Sequence, residues 1–218
     1  MPRSPRNRLQ NDERRAQLLD LGVSLFSQRP YDEVSIDEIA ELASISRGLL
    51  YHYFGGKRSF YMACIKIAAG QLLNALSPDI SLPGPQRVVQ ALNTYLDWVS
   101  ARSSAYLALM RGGIDGKVAI ILEETRATLV ERMLDGMALA SSGPHPAFTL
   151  AARSWLGSVE AAAASWLDAP TSIPRDALVS LLVTNLITNL AVAQRLAPDA
   201  GFEMEPSARA LLRSLASD

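Results

Sequence analysis

Apolar residues recur along this chain every three or four positions, the period of a helix buried along one side. Nothing after Leu76 shows the two-residue alternation of a half-buried strand, and no internal repeat is visible. The spacing therefore predicts an all-α protein. Between residues 35 and 61 it predicts two short helices at a sharp angle, a glycine break and a third helix. The stretch Ser77-Pro78-Asp79-Ile80-Ser81-Leu82-Pro83-Gly84-Pro85 then breaks the pattern. Helices are expected beyond it near 86–101, 104–111, 117–140, 147–168, 174–196 and 205–216. Breaks fall at Gly112-Gly113, at residues 141–146, between Pro170 and Pro174, and at Pro198; Pro174 suits a helix start.

The segment 35–61 carries the most local information. Ser35 and Glu38 have the spacing of a capping box. Ile36, Ile39 and Ala40 fall on one helical face, with Leu42 and Ala43 continuing it. Ser44 and Ile45 make the turn, and Ser46 is placed to cap the next helix. Leu50 and Phe54 should point to the core, which leaves Arg47, Leu49, Tyr51 and His52 outward. Such a face suits water poorly and DNA well. Arg47 can donate to guanine O6 and N7, while Tyr51 and His52 can donate to phosphates. The pattern is that of a helix-turn-helix; a helical hairpin within a larger core is the alternative. Gly55-Gly56-Lys57-Arg58 adds to the first reading. Two cations at a helix N-terminus oppose the macrodipole unless an anion sits there, and a helix start with a Lys makes a phosphate clamp.

Composition narrows the class. The 218 residues are 49% hydrophobic and 20% charged, with a formal net charge of −1, so this is not a globally basic nucleic-acid coat. Positive charge is local: Arg3, Arg6, Arg8, Arg14 and Arg15 outweigh Asp12 and Glu13. Such an arm can follow phosphates or enter a minor groove, or be a disordered N-terminus. The single cysteine, Cys64, excludes an internal disulfide and fits a reducing cytoplasm. The N-terminus has arginines without an apolar stretch behind them, unlike a signal peptide. Residues 177–194 carry no charge and approach membrane-spanning length, but two Asn, two Thr, a Ser and a Gln favour a helix buried on two sides.

Residues 12–62 resemble the tetracycline-repressor (TetR) family of bacterial regulators. The likeness rests on Leu18-Leu19, Leu25-Phe26, Tyr31-Asp32, Ser35, Ile39-Ala40, Ile45-Ser46-Arg47-Gly48, Leu50-Tyr51-His52-Tyr53-Phe54 and Lys57. The resemblance implies phosphate contacts at Ser35, Tyr51, His52 and Lys57, and base reading at Arg47, Gly48 and Leu49, with Ser46 at the start of the same helix. It implies a DNA-binding domain over 1–56 and a helical ligand-binding and dimerisation domain over 57–218. The last two long helices, near 147–168 and 174–196, would form a four-helix dimer interface. The small residues Ala151, Ala152, Gly157 and Ala161-Ala162-Ala163-Ala164 suit such close approach. The implied function is a cytoplasmic homodimeric repressor on a near-palindromic double-stranded operator, released by a small, largely apolar effector. An activator or protein-partner adaptor with the same head is the alternative. Two positions depart from the family pattern, which has glycine at Pro30 and at Ser44.

For the effector, Tyr95, Trp98, Tyr106, Met110, Met133, Met137 and Trp155 are the large adaptable residues of the second domain, equally suited to core and to cavity lining. Arg153, Glu160, Asn93 and Asp97 interrupt apolar stretches and could orient a ligand or be paired. Only His52 and His145 are present, and there is no metal-ligand spacing, P-loop, dinucleotide fingerprint or nucleophile elbow. No catalytic residue, metal or cofactor is expected.

Overall fold

The computed structural model describes residues 5–111, 116–137, 145–169 and 173–215. Among them there is no strand, as the spacing predicts. Ten helices follow in order: α1 (Pro5–Gln28), α2 (Ile36–Leu42), α3 (Arg47–Phe54), α4 (Lys57–Ala75), α5 (Gly84–Ser100), α6 (Ser103–Arg111), α7 (Gly116–Asp135), α8 (Pro146–Asp168), α9 (Arg175–Leu196) and α10 (Pro206–Leu215). The bounds lie within a few residues of those expected. α7 ends at Asp135, short of the anticipated 140. The breaks expected at Gly112-Gly113, at Ser141 to Pro144 and at Pro170 lie outside the described residues. The chain divides into two compact units, Met1–Leu72 with Ala101–Leu122, and Leu73–Ser100 with Glu123–Asp218.

In the first unit, Leu18, Gly22 and Phe26, spaced four residues apart, form a stripe on α1, and Leu19 lies beside it. They meet Val34, Ile39, Leu50, Phe54, Phe60 and Cys64 in one buried core. A Cβ at Gly22 would stand 2.4 Å from the Phe60 ring and 2.5 Å from Cys64 Sγ. Glycine is what lets α1 and α4 approach this closely. Phe54 and Phe60 meet edge to face at 4.8 Å, and Phe26 and Tyr61 do the same at 4.8 Å. Burial pushes the Cys64 thiol up to about 12.

Pro30 creates no conflict. It opens the short 3-10 turn Tyr31–Glu33 at φ −58°, the value its ring imposes. Part of the basic N-terminal segment is used internally. α1 begins at Pro5; Arg14 donates to the Ala43 carbonyl at 3.1 Å, and Arg15 lies over the Phe54 ring at 5.1 Å. Arg3 and the side chains of Arg6 and Arg8 lie outside the described residues.

In the second unit, α8 and α9 pack along each other, and α5 and α10 lie against α9. Leu92, Tyr95, Leu96 and Val99 supply the buried stripe of α5. Trp155 donates its ring N–H to the Leu182 carbonyl at 2.8 Å, tying α8 to α9. Glu205, far along the chain, accepts the Gly84 N–H on both carboxylate oxygens, at 3.1 and 3.0 Å. It thereby caps α5 and places an anion at that helix's positive end. α9 is long and apolar enough to span a membrane by length and composition. Here it buries Leu178, Val179, Leu182, Val183, Leu186, Ile187, Leu190 and Ala193 within the fold.

A candidate DNA-reading face

The turn between α2 and α3 sets the angle of the outward helix. The Ile45 N–H donates to the Ala40 carbonyl at 3.0 Å and the Ser44 N–H to Glu41 at 2.9 Å. This is the two-bond C-terminal motif that calls for a left-handed residue between helix and turn, commonly glycine. Ser44 occupies that place at φ +52°, the one non-glycine positive φ among the described residues. The strain expected for serine is therefore present, and the turn keeps its form. Arg14 on the Ala43 carbonyl and Ile45 against the head's core hold it there.

Both serine caps form. Ser35 Oγ accepts the Glu38 N–H at 3.0 Å, and Ser46 Oγ accepts the Leu49 N–H at 3.1 Å. The reciprocal half of the capping box is taken over: the Glu38 carboxylate pairs with Arg29 instead of reaching back to Ser35. Each serine hydroxyl keeps its own hydrogen, free to donate to a phosphate oxygen. Leu42 departs from the expected face. The buried stripe of α2 is Ile39 and Ala40 with Ile36 and Ala43 beside it, and Leu42 falls off its edge into solvent.

α3 divides as its sequence requires. Leu50 and Phe54 are buried, while Arg47, Gly48, Leu49, Tyr51 and His52 are exposed. Leu49 and Tyr51 are 38% and 50% exposed, an apolar and aromatic surface unusual on an eight-residue helix. Gly55 ends the helix in the left-handed region at φ +74°, its N–H on Tyr51 O at 2.7 Å. Lys57 opens α4 as expected, with no acidic residue in the first turn. Its ammonium stands 4.0 Å from the Tyr31 ring centre. Tyr31 orients that cation without neutralising it.

All eight residues assigned to DNA thus lie on α3, on its cap, or at the starts of α2 and α4, and only Lys57 is half-buried. One neighbour was not anticipated. Asp37, in the first turn of α2, holds Arg47 through Oδ1 and Nη1 at 2.9 Å. Residue spacing alone gives no sign of this, because it depends on the crossing of the two helices.

The effector candidates fall differently. Tyr95, Tyr106 and Trp155 are buried, and Trp98, Met110, Met133 and Met137 are half-buried. Tyr106 and Met110 belong to the first unit and the other five to the second. A groove of about 540 Å³ runs between α5 and α9, lined by Val89, Asn93, Arg175, Asp176, Val179, Ser180, Val183 and Thr184. None of the seven lines it. The polar residues that interrupt the apolar stretches are engaged within the protomer. Arg175 donates to Asn93 Oδ1 at 3.1 Å and to Asp97 at 2.6 Å, which holds the Asp97 carboxyl below its usual range. Glu160 accepts from Arg126 Nε at 2.9 and 3.0 Å, and Arg153 pairs with Glu123. Among the described residues no group of His, Cys, Asp and Glu could hold a metal ion.

Comparison with known proteins agrees with this geometry. Residues 18–64 match the family described as bacterial regulatory proteins, tetR family. Residues 85–189 match the tetracyclin repressor-like C-terminal domain. A tetR-family transcriptional regulator from Streptomyces coelicolor, known by its crystal structure, is 33% identical with a TM-score of 0.77; the match covers 95% of this chain and 90% of that one. The HTH-type transcriptional activator FasR of Mycolicibacterium smegmatis is 31% identical over 102 residues, 46% of this chain and 47% of FasR. The negative transcriptional regulator IcaR of the icaADBC biofilm operon in Staphylococcus aureus is 32% identical over 59 residues, 27% of this chain and 32% of IcaR. The chain thus spans half or less of these two curated relatives.

Proposed function

The chain belongs to the tetR family of bacterial regulatory proteins, and from that premise we propose that it is a cytoplasmic homodimeric repressor whose operator is a near-palindrome. Residues 1–56 read DNA, and residues 57–218 dimerise and bind an effector. The observation that carries this reading is the outward face of α3, capped by Ser46 and exposing Arg47, Gly48, Leu49, Tyr51 and His52 over a packed head. Arg47 reads a guanine, Gly48 lets the backbone approach the bases, and Leu49 offers an apolar contact to a thymine methyl. Ser35, Tyr51, His52 and Lys57 bind phosphates and fix the register.

The faces of α8 and α9 turned away from their own core support the dimer. Leu150, Leu181 and Leu196 are 67%, 58% and 71% exposed, beside the exposed small residues Gly157 and Ala161. A second copy related by a two-fold axis covers this surface with the same surface. Two α3 helices then enter successive major grooves about 34 Å apart, or a multiple of that. The effector is a small, largely apolar molecule held by some of Tyr95, Trp98, Tyr106, Met110, Met133, Met137 and Trp155. It acts by favouring a spacing of the two heads that DNA does not accept, and DNA must weaken effector binding by the same factor. No catalytic step, metal or cofactor enters this scheme.

A second reading, a transcriptional activator, is favoured by one observation: FasR carries that name and matches nearly half of this chain. The position of the operator relative to the promoter decides between them. A footprint on the DNA upstream of the protein's own gene, with competitor DNA at two salt concentrations, tests the proposal. Protection of a near-palindrome overlapping the promoter supports repression. Protection upstream of the promoter supports activation; no protection there but saturable binding to genomic fragments elsewhere would make it a regulator of distant genes, and no specific protection anywhere removes both readings.

A further inference from the structure

We propose that Asp37 is a positioning residue that sets the base specificity of Arg47; the inference rests on reading Arg47 as a base-contacting residue. Asp37 lies in the first turn of α2, the helix that supports α3, and Arg47 is the first residue of α3. Asp37 Oδ1 meets Arg47 Nη1 at 2.9 Å, and both side chains are largely exposed. Exposed ion pairs of this kind contribute little to folding stability, so stability does not account for it. Its place is also unfavourable for DNA binding in general, since it sets a carboxylate on the face that approaches phosphates.

The pair makes physical sense as part of the reading apparatus. An arginine has many rotamers and five N–H donors. Free, it can reach guanine, thymine O4 or a phosphate. The Asp37 carboxylate stands against Nη1 and restrains the long side chain by charge, while Nε and Nη2 keep a two-donor edge for guanine O6 and N7. Less side-chain freedom is then lost on binding. The negative charge meanwhile lowers affinity for duplexes that do not return two hydrogen bonds to Arg47. Specificity rises both through the preferred base and against the others.

The test uses the full-length protein and the duplex that wild-type protein selects from a random-sequence pool, together with all single base-pair variants of that duplex. Arg47→Ala should flatten the preference at one base pair in each half-site. Asp37→Asn should lower discrimination at that same pair by roughly tenfold and raise affinity for unrelated duplex a few-fold, with a steeper salt dependence. Asp37→Glu should restore part of the discrimination, and Asp37→Asn combined with Arg47→Ala should discriminate among bases no better and no worse than Arg47→Ala alone. If Arg47→Ala flattens a position that Asp37→Asn leaves fully discriminated, the role of Asp37 is wrong while the reading of Arg47 stands. Equal loosening at every position by Asp37→Asn would make it a general structural residue and also overturn the proposal. An unchanged profile for Arg47→Ala would remove the underlying reading itself.

Discussion

At the scale of single residues, the head separates side chains that hold the fold from those left to meet a partner. Lys57 does some of both, since its ammonium rests on Tyr31 and remains half-exposed at the start of α4. Lys57→Ala should weaken specific and non-specific DNA alike and reduce the salt slope of binding by about one, as loss of one phosphate contact requires. Titrations at several salt concentrations would read this directly; a loss confined to operator DNA would make Lys57 a base reader instead. Cys64 lies at the other extreme, buried against α1 with its thiol raised to about 12. Its thiolate fraction at pH 8 is therefore negligible in the native state. Labelling by a thiol reagent at that pH should follow unfolding and accelerate only in denaturant; rapid labelling of the native protein would contradict this packing. The outward and inward residues of α3 were legible in the sequence, because a helix with alternate demands on its faces announces them. The partners of Arg47 and Lys57 were not. Asp37 and Tyr31 come from other elements, and helix crossing brings them near.

Elements add two constraints that can be tested through stability. Ser44 closes the α2 turn at φ +52°, where a side chain costs roughly 1–2 kcal/mol. Glycine regains that cost but frees the unfolded chain, so Ser44→Gly should stabilise the head by about 0.5–1 kcal/mol net. Slower amide exchange in α2 and α3 would report the gain, and unchanged or faster exchange would mean the turn holds no strain. The sequence indicated this position because serine stood where the turn motif asks for glycine. Gly22 gave no such signal. A glycine inside a helix has several explanations, and only the fold brings Phe60 and Cys64 to 2.4 and 2.5 Å of its absent Cβ. Gly22→Ala should cost about 1–3 kcal/mol by overpacking a filled core. A denaturant midpoint equal to wild type would show that α1 and α4 have room to separate.

For the whole molecule, an all-helical chain with helices near the expected bounds was readable from spacing and helix breakers. Which large apolar side chains would meet an effector is not readable in the same way, because at helical spacing they serve core and cavity equally. Asn93, Asp97, Arg153 and Glu160 likewise found partners in distant segments that periodicity does not pair. The exposed apolar faces of α8 and α9 carry the proposed dimer. Leu181→Glu would set carboxylates on a self-facing surface, so it should yield folded monomers by sedimentation and weaken operator binding by roughly tenfold or more. A variant that stays dimeric would place the interface elsewhere.

The most direct test of the account is selection of binding sites from random double-stranded DNA by the full-length protein, followed by measurement of protomers bound per selected duplex. A homodimeric DNA reader should enrich a two-fold symmetric motif whose half-sites lie one DNA turn, or a whole number of turns, apart, bound by protomers in multiples of two. An unstructured pool with no enriched motif, or a single half-site bound by one protomer, would contradict it.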